Sequence, residues 1–243
     1  MILGSDPAGV IDHLQHGQID ITGQFMWGSN YTFLCNVSFR EQVIQAVYKP
    51  VRGERPLWDF PSETLAGREV AAYLVSEGGH WNMVPPTVFR QEGPSGPGSL
   101  QLYIEHDPDY HYFQFSAEDK ARVRPVVLFD IVANNTDRKA GHILIDSSSK
   151  MWLIDHGVCF HVEPKLRTVI WDFAGQPLAQ EEADQLKLLV VNLLPEKALY
   201  EQLCNYLTRR EIQAIRDRIG ETLQASRFPF PRQDRYSMPW PPV

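Results

Sequence analysis

Two aspartates on either side of a short apolar–polar–apolar stretch are the residues of this chain best suited to chemistry. Asp137 precedes this stretch and Asp155 ends it, and within it apolar runs at 143–145 and 151–154 flank a polar turn at 146–150. That pattern predicts a β-hairpin, whose ends fold back beside each other, so both carboxylates are expected to face one small volume. Phosphoryl transfer from a nucleotide needs such a pair. One acid orients a hydroxyl nucleophile, and the other holds the magnesium ion that bridges the phosphates.

A lysine and a glutamate upstream could complete this site. Lys49 ends a predicted strand, one hairpin beyond Ser29 and Asn30, and could reach phosphates bound under that turn. Glu69 lies on the next predicted helix, where it could pair with the Lys49 ammonium group. Taken singly, a solvated strand-end lysine and an exposed helix glutamate are the commoner explanations. The order of strand lysine, helix glutamate and two acids around a hairpin favours one joint site.

The elements that must position these residues fall into two groups, separated near residues 105–112. The first group opens with a short helix at 8–16 and an antiparallel meander of strands at 19–25, 31–37 and 45–50. A helix that begins at Ser62 or Thr64 and runs to 76 comes next, followed by a hairpin of strands at 84–90 and 99–105 with a Gly/Pro-rich tip. The second group is mostly helical around the aspartate hairpin, with helices over 117–133, 181–194, 196–207 and 212–226. The expected domains are an N-lobe at 1–106, a C-lobe at 107–227 and a proline-rich tail at 228–243, which is either mobile or laid along the surface.

Composition narrows the class of protein. Of the 243 residues, 43% are apolar and 22% are charged, which is ordinary for a globular protein with a packed core. The net charge of -7 argues against a nucleic-acid partner. No apolar run is long enough to span a bilayer, and the N-terminus lacks the pattern of a signal peptide. Cys35, Cys159 and Cys204 are far apart among apolar neighbours, so we expect buried thiols and a cytoplasmic location.

The order of these features resembles the protein-kinase-like fold, and within it the phosphatidylinositol 3-/4-kinase branch. In that branch the catalytic loop carries Asp-Arg, here Asp137-Arg138, and Ile-Asp-x-Gly follows the hairpin, here residues 154–157. With the segments 158–161 and 164–171, these motifs are most similar to a family of actinobacterial proteins grouped by sequence with the phosphatidylinositol 3-/4-kinases. The resemblance covers roughly residues 17–225 and is specific around 130–175.

The resemblance implies an α+β, two-lobed kinase-like fold with a β-rich N-lobe and a mainly helical C-lobe. It also implies ATP as the phosphoryl donor, with residues 101–105 as the hinge that touches adenine. The implied nucleotide-binding residues are Ser29, Asn30, Lys49, Glu69, Gln101, Tyr103, Ile104 and Ile154. The implied catalytic residues are Asp137 and Arg138, and the implied metal ligands are Asp155 and His142.

His142 is where the chain departs from the wider superfamily, which has a metal-binding asparagine at this position. Imidazole suits softer ions, whereas Mg²⁺ prefers oxygen ligands. Four alternatives stay open: Asp155 carries the metal largely alone, the site favours Mn²⁺, His142 contacts a phosphate, or catalysis is weak.

The function expected from these residues is ATP-dependent phosphate transfer to an alcohol acceptor, on a lipid, a small molecule or a protein. The main alternative is a nucleotide-binding pseudokinase that serves as an interaction module without turnover. A second alternative is a kinase-fold enzyme with different chemistry, such as adenylyl transfer. The sequence does not identify the acceptor.

Overall fold

A computed structural model describes residues 7–25, 31–233 and 236–243. After a first helix, α1 (Pro7–His16), the first half of the chain builds a five-stranded antiparallel sheet in the order β1-β2-β3-β5-β4. Its strands are β1 (Gln18–Gln24), β2 (Phe33–Phe39), β3 (Gln42–Pro50), β4 (Thr87–Arg90) and β5 (Gly98–Leu102). Between β3 and β4 lies helix α2 (Leu65–Gly78). The predicted mixture of an antiparallel sheet with helices is confirmed.

Alternation along β3 decides which residues reach the site. Tyr48 is fully buried in a core that α1 closes with Val10 and Leu14. Because successive side chains of a strand point to opposite faces, Val47 and Lys49 face the other side of the sheet. That side is the one that lines the cleft described below.

Helix α2 ends near Gly78 and Gly79 as predicted, but its N-terminus is capped differently. Thr64 has φ -114° and ψ -9°, which is not the extended conformation of a capping residue, and its hydroxyl donates to the Pro61 carbonyl at 2.7 Å. Glu54 instead accepts the Ala66 N–H at 2.8 Å. Thr64 therefore occupies the predicted N-cap position, but its side chain does not cap the helix, and Glu54, from outside the local sequence window, provides the acceptor.

The second half of the chain is mainly helical, with one two-stranded hairpin. It contains α3 (Ala117–Ala121), α4 (Arg124–Ala133), β6 (Ile143–Ile145), β7 (Met151–Leu153), α5 (Gln180–Asn192), α6 (Ala198–Leu203) and α7 (Arg209–Ala225). The single helix predicted over 117–133 is two helices, because Pro125 lacks an N–H and fits only in the first turn of a helix. The predicted capping box at the start of α7 is confirmed, since Thr208 and Glu211 cap each other.

The predictions for the three cysteines and for the proline-rich tail can be compared with the structure. Cys35 and Cys159 are buried as expected, but Cys204 is exposed at the end of α6. Phe228, the first residue of the predicted tail, is buried in the core, whereas segment 236–243 packs against the second half of the chain, where the Ser237 carbonyl accepts the Thr168 N–H at 3.0 Å. Within the described ranges, no helix is both long and apolar enough to cross a membrane.

Candidate active site

A cleft of about 330 Å³ lies between the five-stranded sheet, helix α2 and the β6–β7 hairpin. It brings together most of the residues selected from the sequence. The predicted site residues that line it are Lys49, Glu69, Gln101, Tyr103, Ile104, Asp137, His142, Ile154 and Asp155. Ser29 and Asn30 lie outside the described residues. Both aspartates that flank the hairpin therefore face one cleft, together with the upstream lysine and glutamate.

Lys49 is the centre of the charged end of this cleft. Its ammonium group contacts Glu69 Oε1 and lies 3.0 Å from Asp155 Oδ1. Burial disfavours the charged ammonium, but the two carboxylates more than offset that cost, so the pKa of Lys49 is raised. A cation held in this way from β3 is positioned to meet the negative charge of nucleotide phosphates.

Asp155 is held by its neighbours on both sides. Its φ is +63°, a left-handed conformation that is uncommon for a residue other than glycine. The preceding carbonyl, of Ile154, accepts from Arg138 Nη1 at 3.0 Å, and the following N–H, of His156, donates to Glu69 Oε2 at 3.0 Å. The Lys49 ammonium lowers the pKa of Asp155, so its carboxylate is ionised near neutral pH.

The His142 ring contacts Oδ2, the second carboxylate oxygen of Asp155. His142 Nε2 lies 3.3 Å from Asp155 Oδ2, and His142 Nδ1 accepts the Lys139 N–H at 3.5 Å. Burial lowers the pKa of His142 to about 4, so the ring is neutral. With Nδ1 accepting, the proton of the neutral ring resides on Nε2 and points at Asp155. To bind a metal ion through Nε2, His142 would have to move this proton.

Asp137 has the properties of a group that exchanges a proton. Burial raises its pKa to about 6, the nearby positive charge of Lys139 opposes this rise, and the negative charge of Asp155 adds to it. Lys139 Nζ lies 3.7 Å from Asp137 Oδ2, and the Asp137 N–H donates to Asn135 Oδ1 at 2.9 Å. The catalytic loop is fixed in turn by Arg167, whose N–H donates to the Asn135 carbonyl at 2.9 Å.

Arg138 lies behind the cleft, not in its wall. Its side chain is fully buried and donates to both Asp130 oxygens, at 3.1 and 3.0 Å from Nε. It also donates to the carbonyls of His142 and Ile154, at 3.1 and 3.0 Å. The geometry therefore gives Arg138 a positioning role, which differs from the direct catalytic role implied by its motif.

The other end of the cleft is largely apolar. Gln101, Leu102, Tyr103 and Ile104 line it from β5 and the segment that follows. The Gln101 side chain is buried and donates to Thr87 Oγ1 at 2.8 Å, so its amide is occupied within the sheet. The proposed contact with adenine would then come from the backbone of this segment and from apolar side chains.

Sequence reasoning missed several residues of the cleft. The missed lining residues include Phe25, Tyr31, Thr32, Val47, Glu54, Leu65, Leu144, Gly157 and Val158. Val47 could have been predicted from the sequence, because residues two apart on a strand share a face and Lys49 lies two positions further on. Glu54 was not, because its role depends on a contact with α2 from a separate loop.

The donor set fits a divalent ion that arrives with its nucleotide. In residues 7–25, 31–233 and 236–243, no group of three or more His, Cys, Asp or Glu side chains could hold a metal ion. Mg²⁺ in nucleotide sites needs only one or two carboxylates, because the phosphates and water supply the other oxygens. Asp155 offers one such carboxylate at the cleft surface. Asp155 is thus a carboxylate that could hold such an ion, with the His142 ring beside it.

Comparisons with known proteins agree with this arrangement. The family model described as phosphatidylinositol 3- and 4-kinase matches residues 62–212, which is more than half of the chain. A solved structure described as the Golgi casein kinase with Mn/ADP bound aligns over 91% of this chain and 75% of its own, with a TM-score of 0.56 and 14% identity. The hydra Fam20 structure with sugar aligns over 91% and 88%, with a TM-score of 0.56 and 12% identity. These two likenesses establish the kinase-like fold.

Sequence relatives give the family. Protein Rv2133c of Mycobacterium tuberculosis is 37% identical over 94% of this chain and 93% of its own length. Phosphatidylinositol 4-kinase gamma 7 of Arabidopsis thaliana is 30% identical over 62% of this chain, but the match spans only 26% of that plant protein. The chain belongs to the phosphatidylinositol 3- and 4-kinase family. The predicted family and the predicted kinase-like fold are confirmed.

Proposed function

We propose that this protein is an ATP-dependent phosphotransferase that moves a phosphate to an alcohol acceptor, with Mg²⁺ or Mn²⁺ as its metal ion. The observation that carries the proposal is the Lys49 ammonium between Glu69 and Asp155, in the cleft that Asp137 also lines. A phosphate-binding cation, a metal-binding carboxylate and a proton acceptor are the groups that phosphoryl transfer requires. The family and fold support the same class of reaction.

Each residue then has a distinct task. Lys49 binds phosphate oxygens and is kept in place by Glu69. Asp155 holds the metal ion, which neutralises phosphate charge when it is bound. Asp137 accepts a hydrogen bond from the acceptor hydroxyl and takes its proton. Because the pKa of Asp137 is about 6, most of this carboxyl is ionised at neutral pH while it remains a competent base.

The apolar end of the cleft suits a base ring. Val47, Leu102, Leu144 and Ile154 line it from the sheet on one side and the hairpin on the other. A flat aromatic base between two apolar walls loses its contact with water while keeping its polar edge available to backbone groups. This is the physical basis for proposing a nucleotide and not a smaller phosphate ester as the donor.

Two measurements test the proposal. Thermal shifts with ADP and ATP, each with Mg²⁺ or Mn²⁺, should raise the Tm of the purified protein, because a ligand that binds only the folded state stabilises it. In turnover assays with ATP, loss of the base in Asp137→Asn should slow phosphate release or transfer by about 100-fold or more. Nucleotide affinity should change little. Unchanged turnover in Asp137→Asn would refute the mechanism.

A nucleotide-binding protein without turnover is the second candidate, and His142 is the observation that favours it. Neutral His142 points its Nε2 proton at Asp155 Oδ2, whereas an asparagine at position 142 would offer an oxygen to the metal ion. This candidate predicts thermal stabilisation by nucleotide together with no phosphate release above the rate of Asp137→Asn. The same two measurements therefore separate the two candidates.

A further inference from the structure

The residue between the metal-binding aspartate and its glycine, His156, is a buried imidazole that none of the proposed chemical steps uses. It is fully buried and does not line the cleft. Its Nε2 lies 2.8 Å from Arg138 Nη2. Its backbone N–H donates to Glu69 Oε2 at 3.0 Å. One residue therefore contacts both the glutamate of α2 and the buried arginine of the catalytic loop.

The contact with Arg138 determines where the proton of this ring resides. A guanidinium group can only donate, so His156 Nε2 must accept. Because Nε2 accepts from Arg138, the ring carries its one proton on Nδ1.

That Nδ1 proton faces a carboxylate. His156 Nδ1 is buried without a hydrogen-bond partner and lies 4.0 Å from Glu69 Oε2. This distance is too long for a hydrogen bond, but short enough for attraction in a buried site. A buried donor without a partner is unfavourable, so its position opposite Glu69 requires a structural explanation.

The reason is found in the backbone at Asp155. Its left-handed φ of +63° costs free energy and persists only if the surroundings impose it. Arg138 holds the peptide on one side through the Ile154 carbonyl, and Glu69 holds the peptide on the other side through the His156 N–H. The His156 ring lies between these two supports, hydrogen-bonded to Arg138 through Nε2 and facing Glu69 Oε2 at 4.0 Å through Nδ1.

We propose that His156 is a positioning residue that links Glu69 to Arg138 and thereby fixes the strained Asp155 backbone for metal and phosphate binding. The link runs from Lys49 and Glu69 through His156 and Arg138 to Asp130 of α4. It connects the strand that carries the nucleotide lysine to the helix behind the catalytic loop. The effect on metal binding rests on the proposed function, whereas the claim that His156 fixes the Asp155 backbone is independent of it.

Two variants and a matched control test the link. His156→Gln keeps an acceptor for Arg138 and a donor for Glu69, while His156→Phe keeps the ring volume and removes both. Phe129→Leu is the control, because the Phe129 ring packs edge-on against His156 with centroids 5.6 Å apart and makes no polar link. All three variants should lower the Tm, so Tm alone does not distinguish a link from packing.

Backbone hydrogen exchange across residues 154–158 is the first readout. Exchange in His156→Phe should be about tenfold faster than in wild type, because the lost bond involves a charged partner. In His156→Gln and Phe129→Leu it should stay within about threefold. Equal acceleration in His156→Phe and Phe129→Leu would overturn the proposal. So would a ¹⁵N imidazole spectrum of wild type with the His156 proton on Nε2.

The gain in ADP affinity on adding Mn²⁺ is the second readout. This gain in affinity should be about tenfold smaller in His156→Phe than in wild type, and His156→Gln should restore it. An unchanged gain in His156→Phe would overturn the proposed effect on metal binding. If wild type shows no metal-dependent ADP binding, the proposed function fails. Exchange and the ring spectrum then still decide whether His156 positions Asp155.

Discussion

Both carboxylate oxygens of Asp155 are engaged by side chains of the protein itself. Lys49 Nζ lies 3.0 Å from Oδ1, and His142 Nε2 lies 3.3 Å from Oδ2. A divalent ion held by Asp155, as the proposed function requires, would therefore have to displace or shift at least one of these donors. Lys49 can turn to the phosphates that arrive with the ion, because those phosphates supply a better anion than Asp155 alone. His142 would gain no such replacement, so under the proposed function we expect it to set how readily a metal ion binds.

Replacing His142 with asparagine should favour magnesium. In His142→Asn, an amide oxygen takes the place of a protonated ring nitrogen, and Mg²⁺ prefers oxygen. We expect ADP affinity in Mg²⁺ to rise several-fold relative to Mn²⁺, with Mg²⁺-dependent turnover preserved or raised. Calorimetry with each ion measures this. His106→Asn is the control, since His106 lines the cleft but its Nδ1 contacts the Ile104 carbonyl. Loss of nucleotide binding in His142→Asn would contradict this placement.

The titration of Asp137 gives a second prediction at the residue scale. Burial raises its pKa to about 6; the negative charge of Asp155 adds to this rise, and the positive charges of Lys139 and Arg167 oppose it. Removing the positive charge in Lys139→Met should raise this pKa further. Removing the negative charge in Asp155→Asn should lower it. Carboxyl ¹³C shifts followed against pH measure all three values. A wild-type pKa near the usual 3.9 of aspartate would contradict the buried environment.

The sign of the linked stability follows from the same shift. Because the folded-state pKa of Asp137 exceeds its unfolded value, the folded protein binds the proton more tightly. This carboxyl therefore contributes stability below the unfolded pKa, and that contribution is lost as pH rises through about 6. Asp137→Asn should flatten this part of the stability profile, as urea unfolding between pH 4 and pH 7 can measure.

At the scale of elements, helix α2 is the part of the molecule that joins the two halves of the site. Consecutive residues of α2 face the second half: Glu69 accepts the His156 N–H, and Arg68 donates to the Cys159 carbonyl at 2.7 Å. Arg68 also pairs with Glu211 of α7, and both side chains are buried. The helix that carries the lysine partner is thus fixed to the helical half by its neighbouring arginine.

Breaking this buried pair should destabilise the protein strongly. In Glu211→Gln the capping box of α7 can persist, because glutamine also serves at that position, but Arg68 loses its counter-charge. Leaving a buried charge without its partner costs about 3–5 kcal/mol. Urea unfolding of Glu211→Gln, Arg68→Met and the double variant measures the coupling. Additive losses would show that the pair contributes nothing of its own.

Sequence-based prediction succeeded where a signal is local and periodic. The hairpin around its polar turn, the capping box at Thr208 and the placing of Lys49 and Glu69 on a strand and a helix all follow from spacing within a few residues. The cap at Glu54 and the burial of Arg138 did not, because each depends on partners brought close only by the fold. Pro125 carried a local signal that the prediction of one helix over 117–133 overlooked.

At the scale of the whole molecule, two apolar clusters support the two sides of the cleft. One joins α1 to the five-stranded sheet, and the other joins α2 to the hairpin and the helices of the second half. Helix α2 packs into the second cluster and also contacts β4 and β5, so the wall that carries Glu69 adjoins both the sheet and the half of the chain that carries Asp155. Lys49 of β3 contacts Glu69 of α2 and Asp155, which follows the hairpin, so this one side chain connects the sheet to both of them.

The C-terminal segment 236–243 adds a third support, in front of the catalytic loop. The Ser237 carbonyl accepts from the Thr168 N–H at 3.0 Å and from Trp171 Nε1 at 3.1 Å. The Pro242 carbonyl accepts the Ala140 N–H at 2.8 Å. The same segment therefore holds both the catalytic loop and the segment that follows Asp155.

Shortening this segment in two steps should release its supports in order. Removing residues 240–243 should speed amide exchange at Ala140 alone, because the Ser237 contacts remain. Removing residues 236–243 should also speed exchange at Thr168, and should cost about 1–3 kcal/mol in total for the lost hydrogen bonds. Exchange at the buried core of α4 serves as the internal control. Unchanged exchange at Thr168 in the longer deletion would mean that the catalytic loop and its neighbouring segment hold each other without the tail.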